Sequence, residues 1–136
     1  MHEWALADAI VATVVAELAK SGAEGVRNVG VLLGELQAID REILEFALRS
    51  LCEAQGIDPA VFHLETEEAA FKCRACGREW SLREDPNLAD DQREAIHFLP
   101  ESAHAFIRCP GCGSVDFGVE KGRGVKLSCI EWEARR

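Results

Sequence analysis

The sequence predicts an α+β fold: two helices packed on a small three-stranded sheet, with a zinc-ribbon-like four-cysteine domain inserted into it. Three observations predict it. Two C-x-x-C pairs, Cys73-Arg74-Ala75-Cys76 and Cys109-Pro110-Gly111-Cys112, stand in one short chain. Two stretches ahead of them carry apolar residues at helical spacing, and strand-like alternation lies before the first pair and after the second. A chain that enters a module from one strand and leaves it towards another has the layout of an insertion. The expected division is 1–70 with 119–136 as a discontinuous α+β domain, and 71–118 as the inserted metal domain.

Residues 4 to 20 form the first expected helix: Leu6, Ile10, Val14 and Leu18 recur every four residues, Val11 and Val15 widen the stripe, and Ser21-Gly22 stops it. Residues 26 to 36 read as a strand in which Val29, Val31 and Leu33 alternate. Gly30 and Gly34 inside it point to a bulge or to close packing against a helix. Asp40 is a suitable N-cap for a helix over about 41–55 with Ile43, Phe46, Ala47, Leu51 and Ala54 as its apolar face, closed by Gly56. Residues 61 to 72 read as one long strand into the first cysteine pair, with Glu65, Glu67 and Glu68 solvated and His63 exposed or paired across strands. Between the pairs, Glu84-Asp85-Pro86-Asn87 is a turn and 88–96 a short charged helix. A strand over 115–120, a turn at Lys121-Gly122-Arg123-Gly124 and a final strand over 125–133 complete the chain.

Composition narrows the functions. The chain has 136 residues, is 48% hydrophobic and carries a formal net charge of -9. An acidic chain lacks the basic patch that displaces counterions from nucleic acid. Residues 71–118 themselves carry a net charge of -2. No apolar run is long enough to span a membrane, and the acidic start Met1-His2-Glu3-Trp4 does not resemble a secretion signal. Six cysteines without such a signal fit a reducing, cytoplasmic setting. Cys52 and Cys129, outside the pairs, stand in apolar patterns and are expected as buried structural thiols.

The paired cysteines carry the strongest chemistry. Zinc takes four thiolates in a tetrahedron, and a C-x-x-C turn presents two of them with backbone N–H groups aimed at the sulfurs. Gly77 and Gly113, each following the second cysteine of a pair, suit the positive φ that such knuckles adopt. Two short disulfides or a thioredoxin-like redox pair are the alternatives; a redox pair needs a strand-to-helix setting, whereas the residues around Cys73 read as strand.

A second site is suggested at the start of the chain. A bulky second residue is expected to keep Met1 in place. The Met1 amine, the deprotonated His2 amide and the His2 imidazole then form fused chelate rings, which Glu3 or a further amide can complete. Near-planar nitrogen and oxygen coordination suits Ni(II) or Cu(II). The dipeptide alone does not carry the assignment. His97 and His104 lie in the spacer among Ile96, Phe98, Ala103 and Phe106 and read as packing histidines, His97 also as an additional nickel ligand.

The start Met1-His2-Glu3-Trp4, the strand Val31-Leu32-Leu33-Gly34-Glu35-Leu36 and the two C-x-x-C pairs together resemble the HypA/HybF family of nickel metallochaperones for [NiFe]-hydrogenase maturation. The resemblance covers almost the whole chain. The long spacer, with Ile96-His97-Phe98 and Pro100-Glu101, is similar to archaeal members. The resemblance implies transferable Ni(II) held by Met1, His2 and Glu3, with His2 essential; His97 is added from its place in the spacer and not from the resemblance. It implies structural Zn(II) held by Cys73, Cys76, Cys109 and Cys112. It further implies work with a HypB-type GTPase and the hydrogenase large subunit, and in some organisms with urease maturation proteins; the chain is expected to be non-enzymatic and a monomer or weak homodimer. The rival readings are a zinc-ribbon nucleic-acid or transcription-associated module, disfavoured by the acidic charge, and a thiol oxidoreductase.

Overall fold

The computed structural model describes residues 3–37, 39–85, 88–99 and 102–134, with the backbone alone at 97 and 98. The chain forms two compact units, one of residues 1–32, 39–65 and 126–136, the other of residues 33–38 and 66–125.

The first unit is built on helix α1 (Glu3–Ser21) and helix α2 (Arg41–Gln55). Its strands are β1 (Gly25–Gly34), β2 (Phe62–Glu67) and β6 (Val125–Glu133), in the sheet order β2-β1-β6. Ala7, Ile10, Val11 and Val14 of α1 and Val29 and Val31 of β1 are buried, as the two periodicities require. Asp40 caps α2, its carboxylate accepting the Ile43 N–H at 3.1 Å. This satisfies an N–H that the first turn leaves without an intrahelical partner.

The buried face of α2 differs from the expected one. Leu44, Ala47, Leu48 and Cys52 are buried, whereas Ile43 and Phe46 are 43% and 57% exposed. Positions 44, 47, 48 and 52 lie on one stripe of a 3.6-residue helix, and Ile43 and Phe46 fall beside it. The Phe46 ring meets the Trp4 ring edge-on, centroids 5.9 Å apart.

Cys129 is likewise exposed rather than buried, while Cys52 is buried as expected. Inward residues alternate through Val125 and Leu127, then Ser128 and Cys129 are both exposed, and Ile130 and Trp132 resume the inward phase. The alternation slips by one residue, which turns the thiol outward. Gly30 leaves room for it: a Cβ there would stand 2.4 Å from Ser128 Oγ and 3.0 Å from Cys129 Sγ. The close packing at Gly30 is therefore against a strand, not a helix.

The second unit holds β3 (Ala70–Cys73), β4 (Glu79–Ser81) and β5 (Phe117–Lys121) in the order β4-β3-β5. Helices α3 (Asp90–Phe98) and α4 (Ala103–Phe106) lie in the spacer. The long strand expected over 61–72 is broken into a 3-10 turn (Pro59–Val61), β2 and β3, the last in a different sheet. The break is at Ala69, whose N–H goes to Glu35 Oε1 (2.9 Å) and whose carbonyl accepts the Leu82 N–H (3.1 Å). Glu67 is no solvated acid either: its Oε1 accepts the Gly122 N–H at 2.8 Å. Gly34 also lies against this turn, where a Cβ would fall 2.4 Å from the Gly122 carbonyl oxygen. Neither β4 nor α4 had a signal strong enough to be read from the sequence.

The core of this unit centres on Phe71, Trp80 and Phe117, ring centroids 5.4–5.7 Å apart, with Leu36, Leu82, Ile96 and Ile107 around them. Register explains the trio: Phe71 opposes Trp80 across β3 and β4, and Cys73 opposes Phe117 across β3 and β5. The first cysteine is thus fixed by the same ladder that builds the core.

Candidate metal centre

The two C-x-x-C segments fold as copies of one knuckle. The Cys73 N–H donates to the Arg78 carbonyl (2.8 Å) and the Gly77 N–H to the Cys73 carbonyl (3.0 Å). In the second, the Cys109 N–H donates to Ser114 (2.9 Å) and the Gly113 N–H to Cys109 (2.8 Å). Gly77 and Gly113 have φ of +79° and +76°, a conformation that a side chain would strain. Arg74 links one knuckle to the strand after the other, through its N–H to the Asp116 carbonyl and its guanidinium to Asp116 Oδ1 and the Phe117 carbonyl, all at 2.9 Å.

The four sulfurs of Cys73, Cys76, Cys109 and Cys112 lie within 4.8 Å of one another, and among the described residues this is the one group of three or more candidate metal ligands so placed. Cys73 Sγ is 3.6 Å from Cys112 Sγ, and Cys76 Sγ is 3.6 Å from Cys109 Sγ. Thiolates at the corners of a tetrahedron, each about 2.3 Å from a central zinc, stand about 3.8 Å apart. The cluster fits a structural zinc site in donor type, number and spacing. All four cysteines are free thiols rather than disulfides.

The electrostatics of the metal-free cluster favour deprotonation of two of its four thiols, Cys109 and Cys73, and oppose that of Cys112 and Cys76. Burial pushes the Cys109 thiol up, but the N–H groups of Cys112 and Gly111 and the neighbouring Cys76 and Cys73 outweigh it and bring it down to about 6. Cys73 is lowered as well, chiefly by the Cys76 N–H, which points at its sulfur from 3.4 Å. Cys112 is pushed up to about 11: the Ser114 N–H lowers it, but the Cys73 thiol, burial and the other two thiols prevail. Four acids crowded into one site cannot ionise together without a cation, so early thiolates raise the later ones. A divalent metal removes that penalty.

Of the expected nickel ligands, Glu3 is described: it begins α1, and its Oε1 accepts the backbone N–H of Asp40 at 3.0 Å. Met1, His2 and the side chain of His97 lie outside the described residues; the His97 backbone is in α3. His104 is exposed, yet its ring stacks on Phe117 with centroids 4.7 Å apart and planes 22° from parallel. Sequence reading missed Glu35 and Glu67, whose contacts span 34 and 55 positions of chain. The Gly34-Glu35 pair inside an apolar strand was the available signal.

A family model described as "Hydrogenase/urease nickel incorporation, metallochaperone, hypA" matches residues 1–132. Hydrogenase maturation factor HypA of Pyrococcus horikoshii is 52% identical over 134 residues, 98% of this chain and 96% of that one. The corresponding factor of Methanopyrus kandleri is 32% identical over 134 residues, with 98% and 94% covered. The solution structure of the Ni metallochaperone HypA from Helicobacter pylori has the same fold, with a TM-score of 0.63 at 20% identity over 99% of this chain and 100% of that one. Near-full-length identity of this order, together with a four-cysteine cluster of zinc-binding geometry, places the chain in the HypA family of nickel metallochaperones for hydrogenase maturation.

Proposed function

We propose that this chain captures Ni(II) at Met1-His2-Glu3 and hands it to a nickel enzyme under assembly, while zinc on Cys73, Cys76, Cys109 and Cys112 maintains the second unit. The observation that carries the reading is the family match beginning at residue 1, so that it takes in both the Met-His-Glu start and the two knuckles. The hydrogen bond from the Asp40 N–H to Glu3 supports it, since it holds the first turn of α1 beside the cap of α2.

The two metals have different tasks because their donors differ. A closed thiolate cage holds zinc as part of the folded structure. A terminal amine, an amide and an imidazole at the chain end form an open set that exchanges ligands with a recipient. No bond of a substrate is made or broken, so the protein acts as a carrier and not as an enzyme. His97 is proposed as a further nickel ligand. A HypB-type GTPase and the [NiFe]-hydrogenase large subunit are the proposed partners, with urease maturation proteins where a urease is the client, and the cytoplasm is the proposed setting. No helix among the described residues is long and apolar enough to cross a membrane.

Nickel titration of His2→Ala beside the parent chain, with zinc measured in both, tests the reading. The expected result is loss of tight nickel binding with zinc retained at one per chain. Unchanged nickel affinity in the variant would overturn the terminal site. Glu3→Gln and Glu3→Ala separate ligand from anchor: glutamine keeps an acceptor for the Asp40 N–H, whereas alanine removes it, at a cost of about 1 kcal/mol in the first unit.

A further inference from the structure

The two knuckles are alike in backbone and unlike at one side chain. In the first, the Arg78 carbonyl accepts the Cys73 N–H at 2.8 Å, and the Arg78 N–H is directed at the Cys76 sulfur. Ser114 holds the same place in the second: its carbonyl accepts the Cys109 N–H at 2.9 Å, and its N–H is directed at the Cys112 sulfur. The Ser114 hydroxyl is occupied by the Asp116 N–H at 3.0 Å. The knuckle itself therefore does not demand an arginine at this position.

The Arg78 side chain leaves its own knuckle and lies on the other. A Cβ at Gly111 would stand 3.1 Å from Arg78 Cδ, 3.5 Å from Arg78 Nη1 and 3.7 Å from Cys109 Sγ. Gly111 is not among the glycines of positive φ, so space rather than backbone conformation favours glycine there. The guanidinium and the sulfur border the same point. Their separation is at most the sum of their distances to it, below the screening length of about 8 Å at physiological salt.

The neighbouring charges are placed otherwise. Arg74 is paired with Asp116 at 2.9 Å, with its Nη2 beside Gly118. Glu79 opposes Lys72 across β3 and β4, on the face of the sheet away from Cys73 and Trp80. Arg108 is exposed between the buried Ile107 and Cys109.

We propose that Arg78 balances the zinc site from outside: its guanidinium, seated on Gly111 of the opposite knuckle, offsets part of the charge of the four-thiolate centre and lowers the reactivity of its sulfurs. Zinc with four thiolates keeps a double negative charge, and Cys76 and Cys112 are exposed, so half of the cage is open to attack. A fixed cation beside such a centre stabilises the charge on sulfur and makes it a poorer nucleophile. Arg78 thereby slows the loss of zinc without touching the metal. The inference rests on zinc occupying the four-cysteine cluster and not on the terminal nickel site.

The test follows zinc release from the full, zinc-loaded chain under iodoacetamide, an uncharged reagent that Arg78 does not steer, with a zinc indicator as the readout. Alkylation of Cys129, outside the cluster, releases no zinc and does not register. Arg78→Gln is expected to lose zinc about tenfold faster, with zinc at one per chain beforehand and the near-ultraviolet dichroism of the aromatic trio unchanged. Arg108→Gln removes the same charge beside a ligand and should stay within about twofold of the parent rate. Gly111→Ala should speed release in the parent, because its methyl displaces the arginine, and add nothing to Arg78→Gln. Parent-rate release from Arg78→Gln, equal acceleration by Arg108→Gln, or an additive effect of Gly111→Ala would each overturn the role of Arg78. A parent chain without zinc would overturn the zinc reading beneath it.

Discussion

Cys73 Sγ lies 3.6 Å from Cys112 Sγ across 39 positions of chain, and Cys76 Sγ makes the equivalent approach to Cys109. Each close contact joins the buried cysteine of one knuckle to the exposed cysteine of the other. The site therefore ties the two knuckles together rather than closing each on itself, and removing one sulfur weakens both.

Cys112→Ser is expected to lower zinc from one per chain to near zero and to melt the aromatic trio of Phe71, Trp80 and Phe117, which sits under Cys73 in the ladder. A structural zinc contributes on the order of 10 kcal/mol, comparable to the whole stability of a small domain. Zinc analysis together with near-ultraviolet dichroism checks this: the Trp80 signal should disappear with the metal. Zinc retained at one per chain would show that the fourth sulfur is dispensable.

Acidification should work through the thiolates. Cys109 in the metal-free chain is held down to about 6, below the ordinary thiol range. A lowered group stabilises the fold at pH above its unfolded value, and that contribution is lost as pH falls through about 6. Cys112, pushed up to about 11, has the opposite sign: its contribution is present below the ordinary thiol range and is lost as pH rises through about 11. Thiolate absorbance of the reduced, metal-free protein should rise in separated waves, and zinc should move the first wave to lower pH because metal and protons compete for the same sulfurs.

Gly34→Ala is expected to destabilise the protein by about 1–3 kcal/mol, since the new methyl would meet the Gly122 carbonyl, main chain that cannot rotate away. Urea denaturation with buried-tryptophan fluorescence measures it. A change within experimental error would mean that the turn at Gly122 yields freely.

Leu44→Ala should cost about 2–5 kcal/mol and Phe46→Ala well under half of that. Leu44 is fully buried, whereas Phe46 is 57% exposed and touches Trp4 by its edge. Thermal denaturation of the two variants side by side reads the orientation of α2 directly.

The contrast between those two residues shows what could be read from the sequence. Hydrophobicity alone ranks Phe46 above Ala47, but burial follows the angle around the helix, and that angle is fixed by what α1 covers. Local chemistry was legible: Asp40 caps α2, Gly77 and Gly113 turn the knuckles, and four cysteines at paired spacing meet in one cluster. Long-range polar contacts were not. Nothing beside Glu35 says that its carboxylate reaches Ala69, and nothing beside Glu67 says that it reaches Gly122. The break at Ala69 follows from those contacts, so the strand expected over 61–72 could not be divided without them. The expectation of an amino-terminal metal site rests on its company, because Met-His-Glu is three common residues until two cysteine pairs accompany it.

The slip at Ser128 and Cys129 has a practical consequence. It turns one thiol outward in the first unit, while the other exposed sulfurs, Cys76 and Cys112, belong to the four-cysteine cluster. With zinc bound, Cys129 is then the thiol left for a maleimide to find. A fluorophore placed there reports on the sheet of the first unit and leaves the four-cysteine cluster chemically untouched. The chain thus carries its own attachment point for following metal transfer in real time.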